Sequence, residues 1–236
     1  PLDIEKITSV EEELSINEID EKSFMFLVCG EFIERKNIPA VISAFHAEFS
    51  PEEDVELLIK TNRAGVAGNE LLNLVTDKAN NTKARLRLYP NIETYKNNYI
   101  ITDRMEDKHL LALFKRANCF VMASHGESWC IPAAECMALG TPCIVTSHTG
   151  MTEFVNTENG WVVDSVETHV ATKDAPLPYL YTANETWRQI DIMKLRNAMR
   201  EAYDDCMMFD KKSAKAKEDI KKYSFEAVAE TVQGLL

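Results

Sequence analysis

The absences in this sequence narrow its function before any motif is found. No apolar run approaches the roughly 20 residues that a membrane-spanning helix needs. The segment Pro1-Leu2-Asp3-Ile4-Glu5 lacks the features of a signal peptide. The six cysteines contain no C-x-x-C pair and no Cys/His cluster of zinc spacing, which argues against a zinc ribbon or a dithiol redox centre. They read instead as reduced thiols of a cytosolic protein, three of them in expected strands. No G-x-G-x-x-G follows any strand, so a dinucleotide is not the expected ligand. Positive charge is scarce: 26 Lys and Arg stand against 38 Asp and Glu, for a net charge of −12. That balance excludes general nucleic-acid binding and docking of the whole surface on anionic lipid. It leaves room for an anion held locally by a basic pair and a helix N-terminus.

What remains is a chain of 236 residues, ample for a buried core. Residues 1–21 read as an acidic linker with a short helix at Val10–Leu14. Residues 22–236 read as one α/β domain. Apolar runs at 24–29, 55–60, 84–89, 99–102, 119–123, 143–146 and 161–163 read as strands. Between them lie helices at Ile38–Phe49, about Asn69–Lys78, Lys108–Arg116 and Pro132–Leu139. Residues 165–187 show no periodicity and read as an excursion or flap. From Ile190 onward the pattern is helical, ending in an amphipathic segment, Phe225–Leu236. Alternation of strand and helix gives a Rossmann-like parallel sheet covered on both faces, with ligands at the carboxyl ends of its strands. Three loops meet there by that rule: Gly30–Asn37, Thr102–Asp107 and His125–Ile131.

One join carries the chemistry. A buried strand, Cys119–Ala123, runs through Ser124-His125-Gly126-Glu127-Ser128-Trp129-Cys130-Ile131 into a helix with Pro132 in its first turn and Gly140 at its end. The amides of Ala133, Ala134 and Glu135 are expected to point at the loop as an anion site. Glu127 and Glu135 flank it. From spacing alone they are either acceptors for hydroxyls of a ligand or, more plainly, a solvated loop carboxylate and a helix-complementing one. Arg35 and Lys36 head the first helix. They are either diphosphate ligands or solvated surface cations.

The stretch Glu127-Ser128-Trp129-Cys130-Ile131-Pro132-Ala133-Ala134-Glu135-Cys136-Met137-Ala138-Leu139-Gly140-Thr141-Pro142 resembles, without a gap, the donor-binding motif of retaining GT-B glycosyltransferases of family 4. Supporting similarities lie at Gly30–Lys36, at Asp164, Trp187 and the helix to Tyr203, and at Pro1–Ile4, which looks like the family's hinge. The resemblance implies the carboxyl-terminal half of a GT-B fold, binding a UDP-sugar or GDP-sugar for hexosyl transfer to an acceptor hydroxyl. It implies that Glu127, Ser128, Trp129 and Cys130 meet the donor sugar, that Glu135 holds the ribose, and that Arg35, Lys36 and Ile131 meet the diphosphate. Arg104 and Met105 would touch the base. The sequence contains no Asp-x-Asp, in keeping with a donor site that needs no metal or other cofactor.

Two positions depart from the family pattern. Glu31 stands where an arginine is common, and Cys130 where the loop has its second glycine. No histidine here matches the family's residue near the reacting carbon. The resemblance therefore implies that an N-terminal acceptor-binding GT-B domain is the partner and that this half alone is inactive. It implies a cytoplasmic location, at a membrane surface only if that partner supplies the attachment. The final helix is expected to leave Phe225, Val228, Val232 and Leu235 partly uncovered. Two rival readings stand beside this one: a non-catalytic binding or assembly module of the same fold, and a sugar-nucleotide epimerase.

Overall fold

A computed structural model describes residues 1–16, 19–170 and 184–235. Its central strand is β1 (Phe24–Glu31), whose residues Met25 to Val28 are essentially without exposure. A strand this apolar on both faces belongs inside a parallel sheet. β1 pairs in parallel with β2 (Val55–Asn62) on one side and β4 (Cys119–Met122) on the other. β3 (Asn98–Ile101) lies beyond β2, while β5 (Cys143–Thr146) and β6 (Gly160–Val163) lie beyond β4. The order β3-β2-β1-β4-β5-β6 means that the chain winds outward from β1, returns to the middle, and winds out the other way. The reversal opens a crevice at the carboxyl ends of β1 and β4, where such sheets bind ligands.

Alternate side chains of β1 serve two cores. Phe26 and Val28 pack with α2 (Ile38–Glu48), α3 (Gly68–Leu86) and α6 (Ile192–Asp204). Met25 and Leu27 pack with α1 (Ile4–Thr8), α4 (Asp107–Arg116), α5 (Ile131–Leu139) and α7 (Cys206–Asp219). β7 (Ser165–His169) and β8 (Thr186–Ile190) form a separate antiparallel pair. The last helix, α8 (Phe225–Gln233), has no buried residue, and Phe225, Val232 and Leu235 are exposed. No described helix is long and apolar enough to cross a membrane.

Three sequence expectations need correction. The helix expected at Val10–Leu14 is absent. The helix lies earlier, at α1, where the Asp3 carboxylate caps the amide of Lys6 at 2.9 Å. The strand expected at 84–89 is not one: Ala84 to Leu86 finish α3, which is far longer than the expected 69–78. Alternation of Ala84, Leu86 and Leu88 with Arg85 and Arg87 mimics a strand. Leu71, Val75, Ala79 and Thr82 carry the buried helical stripe past it, and Arg87 ends the helix at φ 54°. The excursion at 165–187 is bounded by β7 and β8, and residues 171–183 lie outside the described residues.

Residues 1–16 do not hang free. Leu2 exchanges backbone hydrogen bonds with Tyr223 and Phe225, and Leu2, Ile7 and Val10 are buried.

Candidate functional site

The loop after β1 and the loop after β4 are latched together at the crevice. Asn37, at φ 51°, donates its side-chain amide to Ala123 O at 3.1 Å. The His125 amide donates to Arg35 O at 2.8 Å. Arg35 donates to Gly126 O at 2.5 Å and to the Glu127 carboxylate at 3.1 Å. Lys36 donates to the same carboxylate oxygen at 2.5 Å. The Glu127 side chain is only 6% exposed, so it is nearly dry and its charge is compensated by both cations. Arg35, Lys36 and Glu127, read as separate ligands from the sequence, are one cluster.

The start of α5 differs in detail from the expected anion site. The amides of Ala133 and Ala134 are occupied by Cys130 O, at 3.0 and 3.3 Å. The expectation that they point at the loop therefore fails, because the backbone there has already found its own acceptor. The donors lie one step earlier. The amides of residues 126–131 donate to no backbone or side-chain acceptor among the described residues. Cys130, at the join with α5, takes a left-handed conformation, φ 64° and ψ 72°. The resemblance places Cys130 beside the donor sugar. The thiol points instead into the core, where burial pushes its pKa up to about 12. Only its backbone is available to the loop.

Two elements hold this loop from behind. Gly150 donates its amide to Glu127 O at 3.1 Å, and a Cβ there would stand 1.7 Å from Ser128 O. The β7–β8 pair grips His125. Arg188 donates its amide to His125 O at 3.2 Å, the His125 ring Nδ1 lies 2.8 Å from Arg188 O, and Trp187 stacks on the imidazole at 4.0 Å. Trp129 packs on Phe154 and Tyr223, at 4.8 and 4.9 Å between centroids. Ser128 is exposed. The sequence motif gives neither His125 nor Gly150 a role. Neither role has a local signal, because each depends on what the fold brings up from a distance.

Beside the start of α5 lies a cleft of about 440 Å³, lined among others by Lys6, Asp107, Trp129, Ile131, Glu135 and Tyr223. Burial pushes the Glu135 carboxyl up to about 7; Asp107 adds to the shift and Lys6 opposes it. Glu135 and Glu127 thus differ sharply, one in an apolar cleft and the other paired with two cations. The loop after β3 reaches the cleft through Asp107, at the start of α4. Met105 packs half-buried against the adjacent core, and Arg104 is exposed to solvent. The structure does not join Arg104 to the Arg35–Glu127 cluster by any hydrogen bond or ion pair among the described residues.

A family model, glycosyl transferases group 1, matches residues 9–175. The chain belongs to this family. Among solved structures, the group 1 glycosyltransferase domain is similar to the C-terminal domain of a glycosyl transferase group 1 family protein (LpcC) from Francisella tularensis. The TM-score is 0.65 at 16% identity, over 92% of this chain and 98% of that one. It is also similar to sucrose-phosphate synthase from Thermosynechococcus elongatus, with TM-score 0.62 and 18% identity over 92% of this chain and 46% of that one. A glycosyltransferase from Rickettsia africae matches at TM-score 0.63 and 13% identity, over 91% and 47%. Identities this low establish the shared GT-B domain fold and not a shared substrate. This glycosyltransferase domain spans about half the length of the latter two proteins. No curated protein matches it in sequence. The matched residues 9–175 include both latched loops, the start of α5 and Glu135.

Proposed function

We propose that this domain holds the nucleotide-diphospho-sugar donor, a UDP-sugar or GDP-sugar, for a retaining hexosyl transfer that needs no metal. The observation that carries the reading is the run of amides at residues 126–131 that have no partner among the described residues, set beside the side chains of Arg35 and Lys36. Amides at a helix start and two cations form a site for a diphosphate. Negative charge grows on that group as the glycosidic bond to the sugar breaks, so the same donors stabilise the transition state.

On this reading the diphosphate takes over Arg35 and Lys36, and Glu127 turns its released lone pairs to sugar hydroxyls. The backbone of Ser128, Trp129 and Cys130 lies along the sugar, with the amide of Ile131 on a phosphate. Glu135 accepts from the ribose, and the Arg104–Met105 loop borders the base. The acceptor and the rest of the catalytic machinery come from an N-terminal GT-B half, and transfer requires both. A thermal-shift panel of UDP-, GDP- and ADP-sugars tests the reading. UDP or GDP compounds should raise the melting temperature, and Glu135→Ala should abolish the rise. No shift with any member of the panel contradicts it.

A further inference from the structure

Lys60 is a charge in an unexpected place. It follows the apolar run Leu57-Leu58-Ile59 near the carboxyl end of β2 and is only 8% exposed. Its register partners are Cys29 on β1 and Ile101 on β3. Two residues earlier on the same side of the strand, Leu58 packs into the core that also contains α5. Lys60 is therefore on the face of the sheet that carries Glu135. The half-buried Cys29 thiol beside it feels Lys60, Glu135 and Lys36 together, so these groups surround the carboxyl end of β1.

Buried lysines elsewhere in this domain serve the fold. Lys83 donates to Lys96 O at 2.8 Å, and Lys212 donates to Thr157 O and, at 2.9 Å, to Gly160 O. Lys60 has no comparable partner among the described residues. Its ammonium finds one long hydrogen bond, to Thr61 O at 3.4 Å. A buried ammonium left so poorly paired is costly, and an incoming acceptor relieves the cost. Burial already holds its pKa below the ordinary lysine range, against the pull of Cys29 and Asp103.

An ammonium only donates, so its missing partner is an acceptor. Strand order places Lys60 between the cations after β1 and the Arg104–Met105 loop after β3. Asp103, within electrostatic reach, brings an acceptor to the same neighbourhood. A donor beside an acceptor complements a ring carbonyl next to a ring N–H, which uracil and guanine present. Adenine and cytosine present an amino group next to an unprotonated nitrogen instead.

We propose that Lys60 reads the nucleobase of the donor, giving its ammonium to a ring carbonyl oxygen of uracil or guanine. The proposal rests on the donor-site reading above. The test is calorimetric titration of the domain with UDP, GDP, ADP, CDP and inorganic pyrophosphate, using the unaltered protein and Lys60→Met. The unaltered protein should bind UDP or GDP at least about tenfold tighter than ADP and CDP. Lys60→Met should lose about that factor for the preferred nucleotide alone and leave pyrophosphate unchanged. Its melting temperature should hold or rise, because an apolar chain of similar length replaces a buried cation, and this separates lost recognition from lost fold. If Lys60→Met weakens all nucleotides and pyrophosphate alike, Lys60 acts on phosphate and the proposal falls. Unchanged binding of every ligand also overturns it, while leaving the donor site intact. If the unaltered protein binds none of them, the donor-site reading fails and takes this one with it.

Discussion

At the residue scale, Glu127 and Glu135 show how environment divides two identical side chains. Glu127 sits between Arg35 and Lys36. Glu127→Gln leaves two partly buried cations uncompensated and should cost about 2–3 kcal/mol in urea denaturation. The same variant should bind UDP or GDP no more weakly, because the cations are released, yet lose the preference for the sugar-bearing form. Calorimetry with both forms checks this.

Glu135 titrates at about 7 in the folded protein against an ordinary value of 4.5. Between those values the folded state holds the extra proton, so this group makes stability fall as pH rises from 4.5 toward 7. A carboxylate is the stronger acceptor for ribose hydroxyls, so nucleotide affinity should rise as pH passes upward through about 7. Glu135→Gln should flatten both profiles, and an unaltered slope in that variant would assign them to another group. Gly150 is a packing requirement of the loop. The carbon of an added methyl would fall only 1.7 Å from Ser128 O, so Gly150→Ala must displace the loop backbone. Nucleotide binding should then be lost even where the sheet stays folded by circular dichroism.

At the scale of elements, the β7–β8 pair acts as a brace for the site. Trp187→Ala removes the stack on His125, and a loss of about 1–2 kcal/mol is expected in denaturant titrations. Hydrogen exchange of the His125 amide, which is bonded to Arg35 O, should speed up more than exchange in β1.

These elements also show what the sequence makes legible. The inner strands β1, β4 and β5 announce themselves because they are buried on both faces and so read as apolar runs. The end of α3 does not, because Ala84 to Leu88 alternate in register with a strand. The deciding stripe from Leu71 lies outside any short window. The β7–β8 pair gives no signal, since its side chains are largely exposed and follow no apolar alternation; Val166 is 62% exposed. In the site, motif spacing locates Glu127, Glu135 and the basic pair. It places the free amides one step too late, because the Cys130 carbonyl, at a left-handed turn, already takes the amides of Ala133 and Ala134. Lys60 escapes notice because a single lysine ending a strand is ordinary until its burial is known.

At the scale of the molecule, the sheet winds outward twice from its middle, and this brings Arg35 against Glu127, 92 residues later in the chain. The fold also hides its sulfur. Cys119, Cys130, Cys136 and Cys143 are buried with their thiols pushed up by desolvation, and Cys206 alone is exposed. A thiol reagent should label Cys206 rapidly and Cys29 slowly, with the other four reacting only on unfolding. Rapid labelling of Cys130 would mean that the start of α5 opens in solution. The exposed apolar residues of α8 lie near the cleft, since Phe225 and Val228 line it. A partner half that supplies the acceptor would find an uncovered face there.

The central claim is that the amide run at residues 126–131 and the Arg35–Lys36 pair hold a nucleotide diphosphate. Backbone amide chemical shifts of the ¹⁵N-labelled domain, titrated with UDP and GDP, address it most directly. The account predicts saturable shifts concentrated at residues 126–131, at Arg35 and Lys36, and at Glu135. Shifts confined to other surfaces, or none at millimolar ligand, would contradict it.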